Sequence, residues 1–260
     1  MLPLTLRRWL GFPDPPDDHA PVEPRGPLQP RPGGPPNAAW NAELAHAILA
    51  DRDSDAPYAR YAEWLAQNND PRSVLIHAED PAPLVASDPV HFLGPLAFEE
   101  GIEVVWKRGF WSAVAIDREW DAQAVPRLVR DALAHPSALV LDQLDVRADC
   151  IPDLADVLAD SEVLPLRGLV ADARGGMLGA WAAVWARVPR LARLTLVGDG
   201  VSLGDLDLPH LTHLEIVGQL TEDAQWSLAR MSAPRLKVLR RPSGFLPEPA
   251  AMLAERFPSL

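Results

Sequence analysis

One spacing recurs along the C-terminal two thirds of this chain and limits what it can fold into. Leucine, or an apolar stand-in, falls at the first, fourth and sixth places of a six-residue segment. LARLTL sets it at Leu191, Leu194 and Leu196, and LTHLEI repeats it at Leu211, Leu214 and Ile216. LDQLDV gives Leu141, Leu144 and Val146, and LRGLVA gives Leu166, Leu169 and Ala171. LKVLRR keeps Leu236 and Leu239 but places Arg241 third, and WSAVAI is a weaker match at Trp111, Val114 and Ile116. The segments start at 111, 141, 166, 191, 211 and 236, so their spacings are 30, 25, 25, 20 and 25 residues. Most of these lie within the range of leucine-rich repeats, in which a strand and a helix form one unit that cannot bury its apolar faces alone.

A second mark keeps the same register. Proline stands two places before the first leucine at Pro189, Pro209 and Pro234, and Pro258 with Leu260 repeats that spacing. Apolar periodicity predicts helices over about 123–134, 151–160, 176–187, 222–231 and 247–256. The 191–211 unit contains GDG and is too short for a helix, so it should cross by a loop. The reading is an α/β chain: a short, irregular leucine-rich-repeat-like solenoid with a parallel sheet over 81–260. The competing reading is an ordinary α/β domain of alternating strands and helices.

Upstream the chain changes character. Residues 13–36 are crowded with proline and read as an extended linker, because proline removes donors and fixes φ. Before them, Leu2, Leu6, Trp9 and Leu10 fall on one face of a short helix over 1–12, a docking segment for a partner or for the body of the protein. Residues 37–80 read as a helical module. Trp40, Leu44, Ile48 and Leu49 mark a first helix, and Tyr58, Tyr61, Ala62 and Leu65 mark a second, with Asp55 as its expected N-cap and Pro57 in its first turn. A third short helix is expected from Pro71 to about Ala78.

The run AILADRDSDAPYARYAEWLAQNNDPRSVLI, residues 47–76, resembles a short bacterial module, the repeat-companion domain. The pattern of that family is roughly A-I-x-x-x-P-x-D-x-x-x-R-x-x-Y-A-D-W-L-x-x-x-G-D-x-R. This chain keeps Ala47, Ile48, Asp53, Tyr61, Ala62, Trp64, Leu65, Asp70 and Arg72, with Glu63 for the usual Asp, Asn69 for the usual Gly and Asp51 where proline is common. The resemblance covers only 47–76. It implies a helical module followed by leucine-rich or related repeats. The family has no established reaction, so it implies no catalytic residue.

Composition narrows the function classes. The net charge of −12 is the wrong sign for gripping phosphate backbones, so nucleic acid is not an expected partner. No apolar run approaches the length of a membrane helix. The arginines of MLPLTLRRWLGF follow the apolar residues, the reverse of a secretory signal, and a single cysteine, Cys150, cannot form an internal disulfide. The expected location is the cytoplasm.

The candidate chemical motifs resolve into polar surface. Asp51, Asp53 and Asp55 open like a calcium loop, but Ala56 and Ala62 stand where its glycine and glutamate belong, and helix capping explains the aspartates better. His210 and His213 are close without a nucleophile in order, GDG at 198–200 lacks the flanks of a phosphate loop, and Glu99 and Glu100 do not share a helix face. Cys150 has no activating neighbour. No catalytic residue, metal or cofactor is expected. Arg235, Lys237, Arg240 and Arg241 form the one basic cluster, read as a solvated strand edge.

Strand alternation supplies the better site. If the leucines face inward, then Gln143, Asp145 and Arg147, Asp172, Arg193 and Thr195, His213 and Glu215, and Arg240 face outward together on the concave sheet. Such a ladder suits a protein or peptide partner, and the expected function is a non-catalytic interaction module. Two other readings stand beside it: a subunit of a larger assembly anchored by residues 1–12, and a hydrolase whose site the sequence hides.

Overall fold

The computed structural model describes residues 39–118, 121–149 and 151–258. The expected docking segment over 1–12, the linker over 13–36 and Cys150 lie outside the described residues. The described chain is a mixed α/β fold with a seven-stranded sheet in the order β1 to β7 and nine α-helices among the described residues.

The helical module comes first. Helix α1 (Ala42–Ala50) starts where the Asn41 side chain accepts the Leu44 N–H at 3.1 Å. Helix α2 (Ala56–Gln67) carries Pro57 at its start but departs from the expected cap: Asp55 makes no capping bond. Ser54 Oγ accepts the Ala56 N–H, Asp51 accepts that of Ser54, and Asp55 pairs with Arg108 at 2.8 Å. Helix α2 ends at Gln67 with Asn68 as its C-cap, and Asn69 beyond it adopts φ +55°. Asparagine tolerates that left-handed conformation better than most residues other than glycine.

Helix α3 (Arg72–Leu75) is shorter than expected and is tied to α1 by a buried ion pair. Asp70 Oδ1 accepts from the Arg72 backbone at 2.9 Å and from Arg72 Nε at 3.0 Å, while Oδ2 accepts from Arg72 Nη2 at 2.6 Å and the Ala39 N–H at 3.1 Å. Arg72 Nη2 also donates to the Ala39 carbonyl. The aspartate and arginine of the family-like motif thus clamp the chain where it enters the module.

Two short helices, α4 (Ala82–Ser87) and α5 (Pro89–Leu93), lead to β1 (Ile102–Lys107). This strand was not anticipated. It pairs antiparallel with β2 (Phe110–Arg118) across the two-residue turn Arg108–Gly109, whose φ values are +52° and +74°. Positive φ at both places is what a tight hairpin of the right twist needs. A Cβ on Gly109 would also lie 2.5 Å from Ile76 Cγ1. In the sequence this hairpin is marked by Arg-Gly between two runs of β-branched and aromatic residues, a signal that the leucine spacing does not carry.

The remaining strands are β3 (Gln143–Ala148), β4 (Gly168–Met177), β5 (Arg193–Asp199), β6 (His213–Val217) and β7 (Val238–Arg240). All pair parallel with their predecessor, from β2 onward. Every leucine segment of the sequence has become one of these strands. Val114, Leu144, Leu169, Leu194, Leu214 and Leu239 stand opposite one another in a single row, and Ile116, Val146, Ala171, Leu196 and Ile216 form the next. A backbone ladder locks the entry to each strand. The Asp142 carbonyl accepts the N–H groups of Arg167 and Gly168, that of Arg167 accepts from Ala192 and Arg193, that of Ala192 from Thr212 and His213, and that of Thr212 from Lys237 and Val238.

Four of the five expected helices are present: α6 (Val125–Ala134), α7 (Pro152–Asp160), α8 (Glu222–Arg230) and α9 (Pro247–Arg256). The fifth, expected over 176–187, is absent. Strand β4 continues through Gly175 and Gly176 to Met177, and only one 3₁₀ turn, Trp185–Arg187, follows. A Cβ at Gly176 would lie 2.0 Å from the Asp149 carbonyl oxygen, so the glycine permits this close passage of strand against loop. Trp181 and Trp185, stacked with centroids 5.9 Å apart, occupy the space of the missing helix. Their indole N–H groups donate to the carbonyls of Leu178 (3.0 Å) and Leu203 (2.6 Å). The 191–211 unit crosses without a helix, as expected.

One large apolar cluster lies between the inner sheet face and α6 to α9. A second joins the module to the sheet: Tyr58 and Tyr61 meet Phe110 edge-on, at 5.7 and 5.6 Å, beside Leu139 and Val140. Among the described residues no helix is long and apolar enough to cross a membrane.

Two outcomes follow. Arg72→Ala leaves the buried Asp70 carboxylate without its partner and should cost about 3–5 kcal/mol in urea unfolding. Burial pushes Asp70 up, but the Arg72 hydrogen bonds outweigh it and hold the carboxyl below its usual range. The stabilisation is therefore present above the unfolded value and lost as pH falls through the folded one, and Asp70→Asn should flatten that acid limb. Trp181→Ala should cost about 3–5 kcal/mol, since no helix is there to close over the void. A loss under about 1 kcal/mol would refute the filling role.

Candidate functional site

The outer residues of the parallel strands form three rows across the sheet. The first holds Ala113, Gln143, Gly168, Arg193, His213 and Val238. The second holds Ala115, Asp145, Val170, Thr195, Glu215 and Arg240. The third holds Asp117, Arg147, Asp172, Val197 and Val217. All nine residues expected from alternation therefore stand on one face: Gln143, Asp145, Arg147, Asp172, Arg193, Thr195, His213, Glu215 and Arg240. Their even spacing follows from the ladder, which sets adjacent strands about 4.8 Å apart.

The face is divided by charge. Over β2 to β4 it carries Asp117, Asp145 and Asp172. Arg147 forks onto Asp145, with Nε to Oδ1 and Nη2 to Oδ2 both at 3.1 Å. Arg174 reaches back to Asp117, and its backbone N–H donates to Asp172 Oδ1 at 2.8 Å. Burial raises the pKa of Asp145 above the usual carboxylate range, and the like charges of Asp172 and Asp117 add to this against the pull of Arg147.

Over β5 to β7 the balance reverses. Arg193 donates to Gln143 Oε1 at 3.4 Å, and Arg240 lies 3.5 Å from Glu215 Oε1. His213 sits between them with Nδ1 2.8 Å from Thr212 Oγ1. The Thr212 hydroxyl donates its one proton to the Ala192 carbonyl at 2.9 Å, which leaves its oxygen to accept from His213 Nδ1. Burial, then the charges of Arg193, Lys237 and Arg240, lowers the His213 pKa below its ordinary value.

One expectation needs correction. Outward strand residues should be solvated, yet Gln143 is 8% exposed and Asp145 only 2%. Ala113, Ala115, Gly168 and Val170 around them are buried too. Small neighbours let the two long side chains lie low on the sheet, and alternation alone does not report that. Glu215 and Arg240 meet the expectation better, the one partly and the other largely exposed.

A second charged group lies where the module meets the sheet, and sequence reading did not find it. Arg52 donates to Asp142 Oδ1 at 3.1 Å and to the Pro165 carbonyl at 3.4 Å, with Arg167 Nε 3.9 Å from the same Oδ1. Burial, with Arg190 and Arg167 adding, lowers the Arg52 pKa to about 10 against the pull of Asp142. Arg108 donates to the carbonyls of Arg52 and Asp53 and braces this loop. The aspartates of D-x-D-x-D are thus part of a joint. Among the described residues no group of three or more His, Cys, Asp or Glu side chains converges as a metal site would require.

The His213 shift has a measurable consequence. The unfolded histidine takes up a proton near pH 6.5 while the folded one resists, so stability should decline as pH falls through that value. His213→Gln should remove this decline between about pH 7 and 5, read as a flatter melting temperature against pH. Equal slopes for both proteins would show that neither burial nor the three cations depresses His213.

Comparison with protein-family models, with curated proteins and with solved structures finds no match to this chain.

Proposed function

We propose that this protein is a non-catalytic interaction module that holds a protein or peptide partner on the outer face of a leucine-rich-repeat-like solenoid. In this reading residues 81–260 are the repeat array, and the 37–80 module covers its first unit through Tyr58, Tyr61 and Phe110. The setting is the cytoplasm, and the net charge of −12 weighs against nucleic acid as the ligand.

The observation that carries the reading is the outer face itself. Nine polar or charged side chains stand in register there on strands, with an acidic end over β2 to β4 and a basic end over β5 to β7. Charge divided in this way selects a partner of the opposite pattern and fixes its orientation. Most of the ion pairs are partly exposed and add little to folding stability, which fits a role in recognition.

The test is affinity capture with the native chain and with Arg193→Glu, His213→Glu and Glu215→Lys combined. At least one native partner should be lost, and its Kd should weaken by about tenfold or more in titration. If the triple variant is folded and keeps every partner at unchanged affinity, the face is not the binding surface.

A further inference from the structure

The sheet ends in two edge strands, and they are built differently. Strand β7 is three residues long, and the charged residues in it and beside it are Lys237, Arg240 and Arg241, so a second copy of the same edge would be repelled. Strand β1 is six residues long and, among the described residues, pairs with β2 alone. Its side chains alternate without a break. Ile102, Val104 and Trp106 are half-buried against the large apolar cluster, and Glu103, Val105 and Lys107 are exposed. The irregularity in the hairpin leaves this alternation intact, because the extra residue, Ser112, belongs to β2. Glu103 and Lys107 make no ion pair among the described residues, and Val105 between them is one of the large apolar side chains left exposed.

The backbone of β1 sets the registers in which this edge can pair. The Asp117 N–H donates to the Gly101 carbonyl at 2.8 Å, which fixes the alternation along the strand. Glu103 and Val105 therefore direct their backbone groups at β2, as does Lys107 at the two-residue turn, and Ile102, Val104 and Trp106 direct theirs away from it. A second copy laid antiparallel on this edge must match those outward groups. Centred on Glu103, the pairing sets the two glutamates face to face. Centred on Val104, it sets Glu103 opposite Val105 and Lys107 opposite Gly101. Centred on Trp106, it sets Lys107 opposite Val105 and Glu103 opposite Gly109. Centred on Val105, it sets each Glu103 opposite a Lys107 and Val105 opposite its mate, while Val104 and Trp106 exchange backbone bonds. The Glu–Lys pairs then fall at the positions where facing side chains stand closest.

We infer that this protein forms a two-fold dimer in which the β1 strands of two copies pair antiparallel about Val105, joining two seven-stranded sheets into one. The occupant of the edge is a second copy because the charge pattern is its own complement. Opposite charges stand two places either side of an apolar centre, and a two-fold interface brings each residue onto the partner of its mate. Pairing also covers Val105 and the half-buried Val104 and Trp106. The dyad stands perpendicular to the sheet, so both outer faces lie on one side, with β2 to β4 of each copy toward the axis. The inference stands apart from the reading of those faces as a partner surface.

Sedimentation equilibrium on the full chain tests it. The native protein should approach twice the chain mass as its concentration rises. Glu103→Lys and Lys107→Glu, both at exposed positions, should each raise the dimer dissociation constant by about tenfold or more, since each sets two like-charged pairs across the axis. The combined variant Glu103→Lys with Lys107→Glu should return to the native constant. An equimolar mixture of the two single variants should dimerise as the native chain does, because the two lysines of one strand then face the two glutamates of the other. That rescue on mixing separates pairing in this register from a loss of folding. A native chain that stays monomeric, single variants with an unchanged constant, a combined variant no tighter than the singles, or a mixture no tighter than its components would each overturn the inference.

Discussion

The structure depends on the register of its parallel strands. Each strand entry is fixed by one carbonyl that accepts two N–H groups from the next, from Asp142 through Arg167 and Ala192 to Thr212. Once these are made, the side chains have no freedom of row. A slip of one residue would turn Leu144, Leu169, Leu194 and Leu214 outward and drive Asp145, Arg193 and His213 into the apolar cluster. That exchange is prohibitive, because charged groups cannot be buried without partners. The same ladder therefore builds the core and the outer face, and neither can change without the other.

This is why so much of the sheet was legible in the sequence. The leucine spacing encodes which residues face inward, and the inward rows encode the register. The helices that follow simple periodicity, such as Val125–Ala134 and Glu222–Arg230, were legible for the same reason. What failed was the stretch over 176–187. AWAAVWAR has good helical periodicity, but Gly175 and Gly176 let β4 run on to Met177, and Trp181 and Trp185 then turn into the core with their indole N–H groups on the Leu178 and Leu203 carbonyls. Both indoles are buried there, stacked on one another, where the expected helix would have packed. Periodicity reports an apolar face and says nothing about where a preceding strand stops.

The site was legible in part. Alternation placed nine side chains on one face, and they are on one face. It did not report that Gln143 and Asp145 would be nearly inaccessible while Arg240 stayed open, because burial on a sheet depends on the size of neighbours across strands, and those neighbours are assigned only once the register is known. Asp55 shows the same limit. As a local signal it reads as an N-cap, and a tertiary partner, Arg108, takes it instead. Arg52, at the joint between module and sheet, had no local signal at all: its partners Asp142 and Pro165 lie 90 and 113 residues away.

The two buried cationic joints do different work. Asp70 and Arg72 are two residues apart and close the module upon itself, so they can form before the sheet exists. Arg52 meets Asp142 and Pro165 only after β2, β3 and β4 are aligned, since these partners belong to the strand entries that the carbonyl ladder fixes. The D-x-D-x-D loop therefore bridges module and sheet: Arg108, on the β1–β2 turn, holds the loop backbone, and Arg52 reaches acceptors just before β3 and β4. A module attached through so many fixed contacts favours an outer face whose charges are already in place when a ligand arrives.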